Sequence, residues 1–278
     1  MSANRTTRLP NGEMVPALGL GTWHMGDRGG DPVAEADALR LGIDLGMTLI
    51  DTAEMYANGK SERVVAEAIK GRRDEVFLVS KILPHNASRK GTFEACDRSL
   101  QRMGVEVIDL YLLHWPGRYP LEDTIECFEE LVAEGKIRYW GLSNFDTDEM
   151  AEVEAISPNC ATNQILYNLS RRGPEFDLMP WCAARSMPMM AYSPLDQGRL
   201  NGHPTLMQIA RKHEVSALQI ALAWLLRQEG VISIPKAATQ SHVRENAAAL
   251  EIELDGNDLA LLDGAFPPPK GKQHLEIL

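Results

Sequence analysis

Residues 108–114 read Ile108-Asp-Leu-Tyr-Leu-Leu-His114, a short apolar run that ends abruptly on an ionisable side chain. A run of this length with helical sequence on both sides reads as a buried strand of a parallel sheet. The same pattern recurs on either side. Strands are predicted at 18–21, 48–51, 76–81, 108–114, 139–143, 161–164, 189–192 and 231–235, each short and rich in Val, Ile, Leu or Met. The intervening stretches carry helix signals. Asp31-Pro32 is an N-cap followed by a first-turn proline, with Ala34, Ala38, Leu41 and Leu45 on one expected face. Asp146 with Glu149, and Ser216 with Gln219, have capping-box spacing, and Leu218, Ala221, Leu222 and Leu225 form a helical apolar stripe.

Eight strands with helical crossovers point to an α/β protein, a closed (β/α)8 TIM barrel, and 278 residues suit that fold at about 250 or more. Thr6–Leu9 and Met14–Ala17 around Asn11-Gly12 predict a β-hairpin ahead of it. No linker, repeat or low-complexity segment breaks the chain, so residues 1–278 are expected to form a single domain. An open doubly wound sheet would carry a glycine-rich phosphate loop after its first strand. The segment Gly19-Leu-Gly21-Thr-Trp-His-Met-Gly26 has His24 where the third glycine belongs.

Charge and composition remove whole classes. With 28 Lys and Arg against 39 Asp and Glu the net charge is −11, which would repel nucleic acid. No window approaches the roughly 20 apolar residues of a membrane span, and no signal peptide is read at the N-terminus. The four cysteines, Cys96, Cys127, Cys160 and Cys182, have no CxxC and no ligand-spaced histidine, so reduced thiols in the cytoplasm and no metal site are expected.

Barrels of this kind carry their chemistry at the C-terminal ends of the strands. Those ends read Gly21-Thr22-Trp23, Asp51, Lys81, His114, Ser143-Asn144, Asn163-Gln164, Tyr192-Ser193 and Pro235-Lys236. Any one polar strand end is ordinary solvation, and an Asp51–Lys81 pair alone would read as structural. Seven in order on one rim read as a site. Asp51, Lys81 and His114 come from adjacent strands, and Tyr56 lies in the loop above them. A free phenol with pKa about 10 is a weak acid at neutral pH, and a neighbouring ammonium is expected to lower that value. Asp51 would keep Lys81 charged, and His114 would orient a carbonyl oxygen toward Tyr56. A site that gives a proton to an oxygen without a nucleophile needs a hydride from elsewhere. A Schiff-base role for Lys81 is the competing chemistry, and Asp51 opposes it by holding the ammonium charged.

These residues and the segments around them resemble the aldo-keto reductases over nearly the whole chain. The matching motifs are Gly19-Leu-Gly21-Thr-Trp23, Leu49-Ile-Asp51-Thr-Ala53 with Tyr56, Val79-Ser-Lys81 and Asp109-Leu-Tyr-Leu-Leu-His114-Trp-Pro116. Further along they are Gly135 to Phe145, Ala191-Tyr192-Ser-Pro-Leu195 and Ile234-Pro-Lys236. The resemblance implies reduction of aldehydes and ketones by NADPH, with NADH a second donor. It implies Tyr56 as proton donor, tuned by Lys81 and Asp51, with His114 orienting the substrate. It implies Tyr192 stacked on the nicotinamide, with Ser143, Asn144 and Gln164 on its carboxamide. Lys236 would meet the 2′-phosphate, and Glu245 and Asn246 the adenine. The matched segments also lay Gly21, Thr22, Trp23, Ser193, Pro194, Leu195, Ile234, Pro235, Ala237, Thr239 and His242 along the cofactor.

Trp23 and Trp115, with Tyr56 and His114, would wall the substrate pocket. Ala237 and His242 stand where the family often has a hydroxyl and an arginine, so a looser preference for NADPH is expected. Details such as Asp51-Thr-Ala-Glu54-Met-Tyr56 resemble bacterial members acting on methylglyoxal and related dicarbonyls. The resemblance favours a monomer, and the short tail after Pro267 predicts a shallow, open pocket. The alternative function is a cofactor-binding regulatory barrel without significant turnover.

Overall fold

The computed structural model describes residues 5–278. A two-stranded antiparallel hairpin, β1 (Thr6–Arg8) and β2 (Met14–Pro16), pairs Thr7 with Val15. Asn11-Gly12 lies in its connection, which is longer than the two-residue turn that dipeptide favours. Eight parallel strands follow: β3 (Leu20–Gly21), β4 (Leu49–Asp51), β5 (Phe77–Ile82), β6 (Ile108–Leu113), β7 (Ile137–Ser143), β8 (Asn163–Leu166), β9 (Met189–Tyr192) and β10 (Val231–Ser233). They pair in sequence order, and the ends meet. Gly19 N–H donates to the Ser233 carbonyl (2.8 Å) and Gly21 N–H to that of Pro235 (3.0 Å), closing the barrel. Gly21 is required at this seam, because a Cβ there would lie 2.6 Å from the Ile234 carbonyl oxygen.

Helices fill every gap between strands: α1 (Pro32–Asp44), α2 (Lys60–Ile69), α3 (Arg89–Met103), α4 (Leu121–Ala133), α5 (Thr147–Ile156), α6 (Leu178–Ala183), then α7 (Pro204–His213) with α8 (Ala217–Leu226). α9 (Gln240–Ala248) and α10 (Gly256–Ala265) follow the last strand. Asp31 caps α1 by accepting from Val33 and Ala34 N–H, and both capping boxes form. The expected face of α1 is met in part: Ala38 is buried, and Leu41 and Leu45 pack half-buried against the core. Glu35, Ala36, Leu39 and Ile43 turn inward, while Ala34 is exposed. Glu35 is buried among these apolar residues, and its carboxylate accepts from Gly26 N–H (2.8 Å). α8 likewise is buried around most of its circumference, and Leu218 from its expected stripe is only half-buried.

Side chains alternate between the two faces of a strand, so positions two apart share the barrel interior. Leu49, Val79, Leu110, Leu112, Met190, Ile232 and Ile234 form an apolar layer there, and Leu9 and Val15 of the hairpin join the same cluster. One further step of two along each strand leads to Asp51, Lys81, His114, Tyr192 and Lys236. The apolar floor thus fixes which polar groups rise at the C-terminal rim.

Candidate active site

A cavity of about 670 Å³ opens at that rim. Lys81 lies beneath it with no solvent exposure, and Asp51 is 2 % exposed. Lys81 Nζ donates to Asp51 Oδ2 (2.8 Å), to the Thr52 carbonyl (2.8 Å) and to the Tyr56 hydroxyl (3.2 Å). All three ammonium protons are thereby engaged. The other carboxylate oxygen of Asp51 accepts from Gln164 Nε2 (2.8 Å). Asp51, Tyr56 and His114 line the cavity, and the Tyr56 and His114 rings meet edge to face at 5.8 Å.

Lys81 acts on Tyr56 in the expected direction, but burial outweighs it. Burial pushes the Tyr56 phenol above its ordinary pKa; the Lys81 ammonium pulls it down and Asp51 pushes it up, and the balance is upward. Burial pulls Lys81 down, but Asp51 and Tyr56 outweigh it and the ammonium is held above its ordinary value. His114 is pushed down to about 2, first by burial and then by the Lys81 charge, so its ring is neutral. Its Nδ1 is buried without a protein partner.

Tyr56 stands on an unusual turn. Ala57, Asn58 and Gly59 are consecutive left-handed residues (φ 48°, 54° and 79°), and the conformation costs about 1–2 kcal/mol for each residue with a Cβ. Ser61 ties the turn to the first strand loop through the Thr22 carbonyl (3.0 Å) and hydroxyl (2.8 Å). Asn144 is also left-handed (φ 63°). Its Nδ2 donates to the His114 carbonyl (3.0 Å) and to Ser143 Oγ (3.1 Å), and its Oδ1 accepts from the Tyr192 hydroxyl (2.9 Å). Both donors of that amide are therefore spent inside the protein.

The expected cofactor residues line this cavity, with two exceptions. Ala237 is buried behind it, and Thr239 caps α9, its hydroxyl accepting from His242 N–H (3.4 Å). Lys236 and His242 are exposed at the far end beside Glu245 and Asn246. Trp23 and Trp115 stand at the other end, as expected for substrate walls, with Met55. This donor set fits a nicotinamide nucleotide: a half-buried Tyr192 ring among amides at one end, and the Lys236 ammonium with the His242 imidazole at the other. The volume lies in the usual range of about 300–1,000 Å³ for such ligands.

Several lining residues were not read from the sequence. His24 lies against Trp23 with ring centroids 4.1 Å apart, and Gln197, Asn201 and Gln219 come from loops and a helix start that carry no chemical motif. Ile277 and Leu278 also line the cavity, and Leu278 N–H donates to the Tyr192 hydroxyl (3.4 Å). The tail is tied by Arg171 to Glu276 (2.7 Å) and reaches the rim of the mouth, where Ile277 and Leu278 stay exposed. All four cysteines are buried and unpaired. Among the described residues, no three His, Cys, Asp or Glu side chains are grouped to hold a metal ion. No described helix is long and apolar enough to cross a membrane.

A closed (β/α)8 barrel with Asp, Tyr, Lys and His gathered at one rim beside a nucleotide-sized cleft defines a class of barrel oxidoreductase. The Aldo/keto reductase family model matches residues 17–266, and the chain belongs to that family. It is 51 % identical over 271 residues to the methylglyoxal reductase YeaE of Escherichia coli, covering 95 % of each chain. It is 33 % identical to the glyoxal reductase of Bacillus subtilis, over 94 % of this chain and 93 % of that one. An aldo-keto reductase from Klebsiella pneumoniae, solved in complex with NADPH, superposes with a TM-score of 0.97 at 48 % identity, covering 99 % of this chain and 100 % of that one.

Proposed function

We propose that the protein reduces small aldehydes and α-dicarbonyls, methylglyoxal among them, to alcohols with NADPH, using Tyr56 as the proton donor. The observation that carries this reading is Lys81 Nζ, buried and shared between Asp51, the Thr52 carbonyl and the Tyr56 hydroxyl. NADPH, when bound, supplies the hydride. The chain's own groups do the rest. Tyr56 keeps its proton across the neutral range and delivers it to the carbonyl oxygen as negative charge develops there. Lys81 stabilises the phenolate left behind, and Asp51 holds Lys81 in place. Neutral His114 offers one ring N–H to orient the carbonyl without bringing a competing charge. Tyr192, Ser143, Asn144 and Gln164 hold the nicotinamide end, and Lys236 and His242 face the phosphate end. Trp23, Trp115 and Met55 provide apolar walls, and Ile277 and Leu278 narrow the mouth, which suits short substrates.

A nucleotide-binding regulator without turnover draws no support from the relatives, whose names describe reductases. Action as a cytoplasmic monomer belongs to the same proposal; unpaired buried thiols accord with a reducing compartment, and size-exclusion chromatography checks the monomer. The test of the main reading is NADPH consumption against methylglyoxal, glyoxal, a nitrobenzaldehyde and an aldose, each repeated with NADH. Tyr56→Phe is expected to abolish reduction while NADPH binding, followed by fluorescence, stays intact. Wild-type turnover in that variant would sink the reading.

A further inference from the structure

The left-handed turn that carries Tyr56 has no side-chain cap of its own, and Gly59, the residue that ends it, has no side chain to give. What lies against it is Arg102 of α3. A Cβ on Gly59 would sit 2.6 Å from Arg102 Cδ and 2.7 Å from its Nε, so the arginine stem and head rest directly on the turn. Arg102 is itself fixed from two sides. Its Nε donates to Glu62 of α2, and its Nη2 donates to Ser99 Oγ (3.1 Å). Glu62 is fully buried, and its other oxygen accepts from Ser80 Oγ (2.8 Å) on β5. Ser80 is the chain neighbour of Lys81, with its side chain on the opposite face of the strand. One buried ion pair thus touches both the turn that presents the phenol and the strand that presents the ammonium.

Burying such a pair is a poor way to gain stability, since apolar side chains of the same volume usually serve as well or better. Its placement gives it another use. We propose that Arg102, held by Glu62, is a positioning residue for the reaction: it clamps the 57–59 turn so that the Tyr56 hydroxyl stays within reach of Lys81 Nζ. Neither residue lines the cavity, so the effect travels through the turn and the Ser80 contact on β5. The proposal rests on Tyr56 being the proton donor.

The test is the double variant Arg102→Leu/Glu62→Gln, which removes the clamp without leaving a buried carboxylate unpaired. Loss of sub-ångström placement of a catalytic acid is expected to lower kcat by roughly 10- to 100-fold. KM for the carbonyl and the dissociation constant for NADPH, read by fluorescence, should stay within about threefold, because the cofactor and substrate walls are untouched. Arg102→Lys alone, which returns a positive charge beside Glu62 but not the guanidinium fork, should recover part of the lost kcat. A kcat loss below about tenfold in the folded double variant overturns the proposal. So does a loss of NADPH binding in step with kcat, which is the mark of general collapse.

Should the double variant fail to fold, Gly59→Ala decides: its methyl must push Arg102 off the turn, and unchanged kcat at unchanged NADPH affinity overturns the clamp. Tyr56→Phe run in parallel separates the two readings. If that variant turns over, the assignment of the proton donor fails; if it is dead while Arg102→Leu/Glu62→Gln is fully active, only the clamp fails.

Discussion

Replacing Lys81 by Met removes an ammonium with no solvent exposure and leaves a side chain of similar length in its place. Two separate consequences follow from the contacts. Asp51 loses the partner of Oδ2 and keeps only Gln164 on Oδ1, while remaining 2 % exposed. A buried carboxylate stripped of its counter-charge costs about 3–5 kcal/mol, which for a domain of this size lowers Tm by on the order of 10 °C. Tyr56 meanwhile loses the one neighbouring charge that pulls its pKa down, with burial and Asp51 still pushing it up. The phenolate that forms on proton delivery is then unsupported, and kcat should fall by roughly 10²- to 10⁴-fold.

The double variant Lys81→Met/Asp51→Asn separates the effects. The neutral amide removes the orphaned charge, so most of the Tm loss should return, whereas the rate should not. Thermal melts by circular dichroism and NADPH consumption at saturating methylglyoxal measure the two quantities, with NADPH titration confirming that the cofactor still binds. The reasoning is refuted if the single variant melts within about 2 °C of wild type. It is equally refuted if the double variant regains the rate.

Three further variants carry expected outcomes. Because His114 is depressed to about 2, the unfolded chain takes up a proton below its ordinary pKa of about 6.5 that the folded chain refuses. Stability should therefore decline as pH falls through that value, and the decline should be shallower in His114→Gln; reduction by wild type should show no limb near pH 6.5 that disappears in the variant. At the other end of the cleft, Lys236→Ala should weaken NADPH about tenfold and leave NADH unchanged, since one exposed charge-assisted phosphate contact is lost. His242→Arg should tighten NADPH over NADH, and equal effects on both nucleotides in either variant would place these groups away from the 2′-phosphate.

The rim of the barrel was legible because strand periodicity is strict. Once the apolar layer of Leu49, Val79 and Leu112 is read as inward, Asp51, Lys81 and His114 must follow it, two residues on. The capping boxes at Asp146 and Ser216 were legible for a similar reason, since both partners lie within one turn. Where the partner is far along the chain, the pattern is silent. Glu35 is buried on α1 with its carboxylate on the Gly26 amide nine residues back, and no helical stripe encodes that bond. β8 is expected at 161–164 and runs two residues further along, at Asn163–Leu166, because the 161–166 segment is buried throughout and offers no apolar–polar alternation. The pairing of Glu62 with Arg102 spans 40 residues between two helices, each of which reads as an ordinary solvated surface on its own. The tail carries no motif at all, and only its contacts on Arg171 and Tyr192 bring Leu278 to the mouth.

The upward balance on Tyr56 changes what Lys81 is for. If the lysine simply lowered the phenol's pKa toward neutrality, part of the population would already have lost the proton that reduction consumes. With burial holding the phenol protonated, the acid is fully loaded at neutral pH, and Lys81 acts on the charge that appears only as the proton leaves. That division favours stabilisation of the transition state over stabilisation of the resting state, which is the condition for a gain in kcat. It also separates the two directions of the reaction. Reduction draws on the protonated phenol and should hold its rate until pH exceeds the ordinary tyrosine value, whereas alcohol oxidation needs the phenolate and should keep rising with pH across the same range. At neutral pH the upward balance on Tyr56 therefore keeps the chain in the protonated form that carbonyl reduction uses.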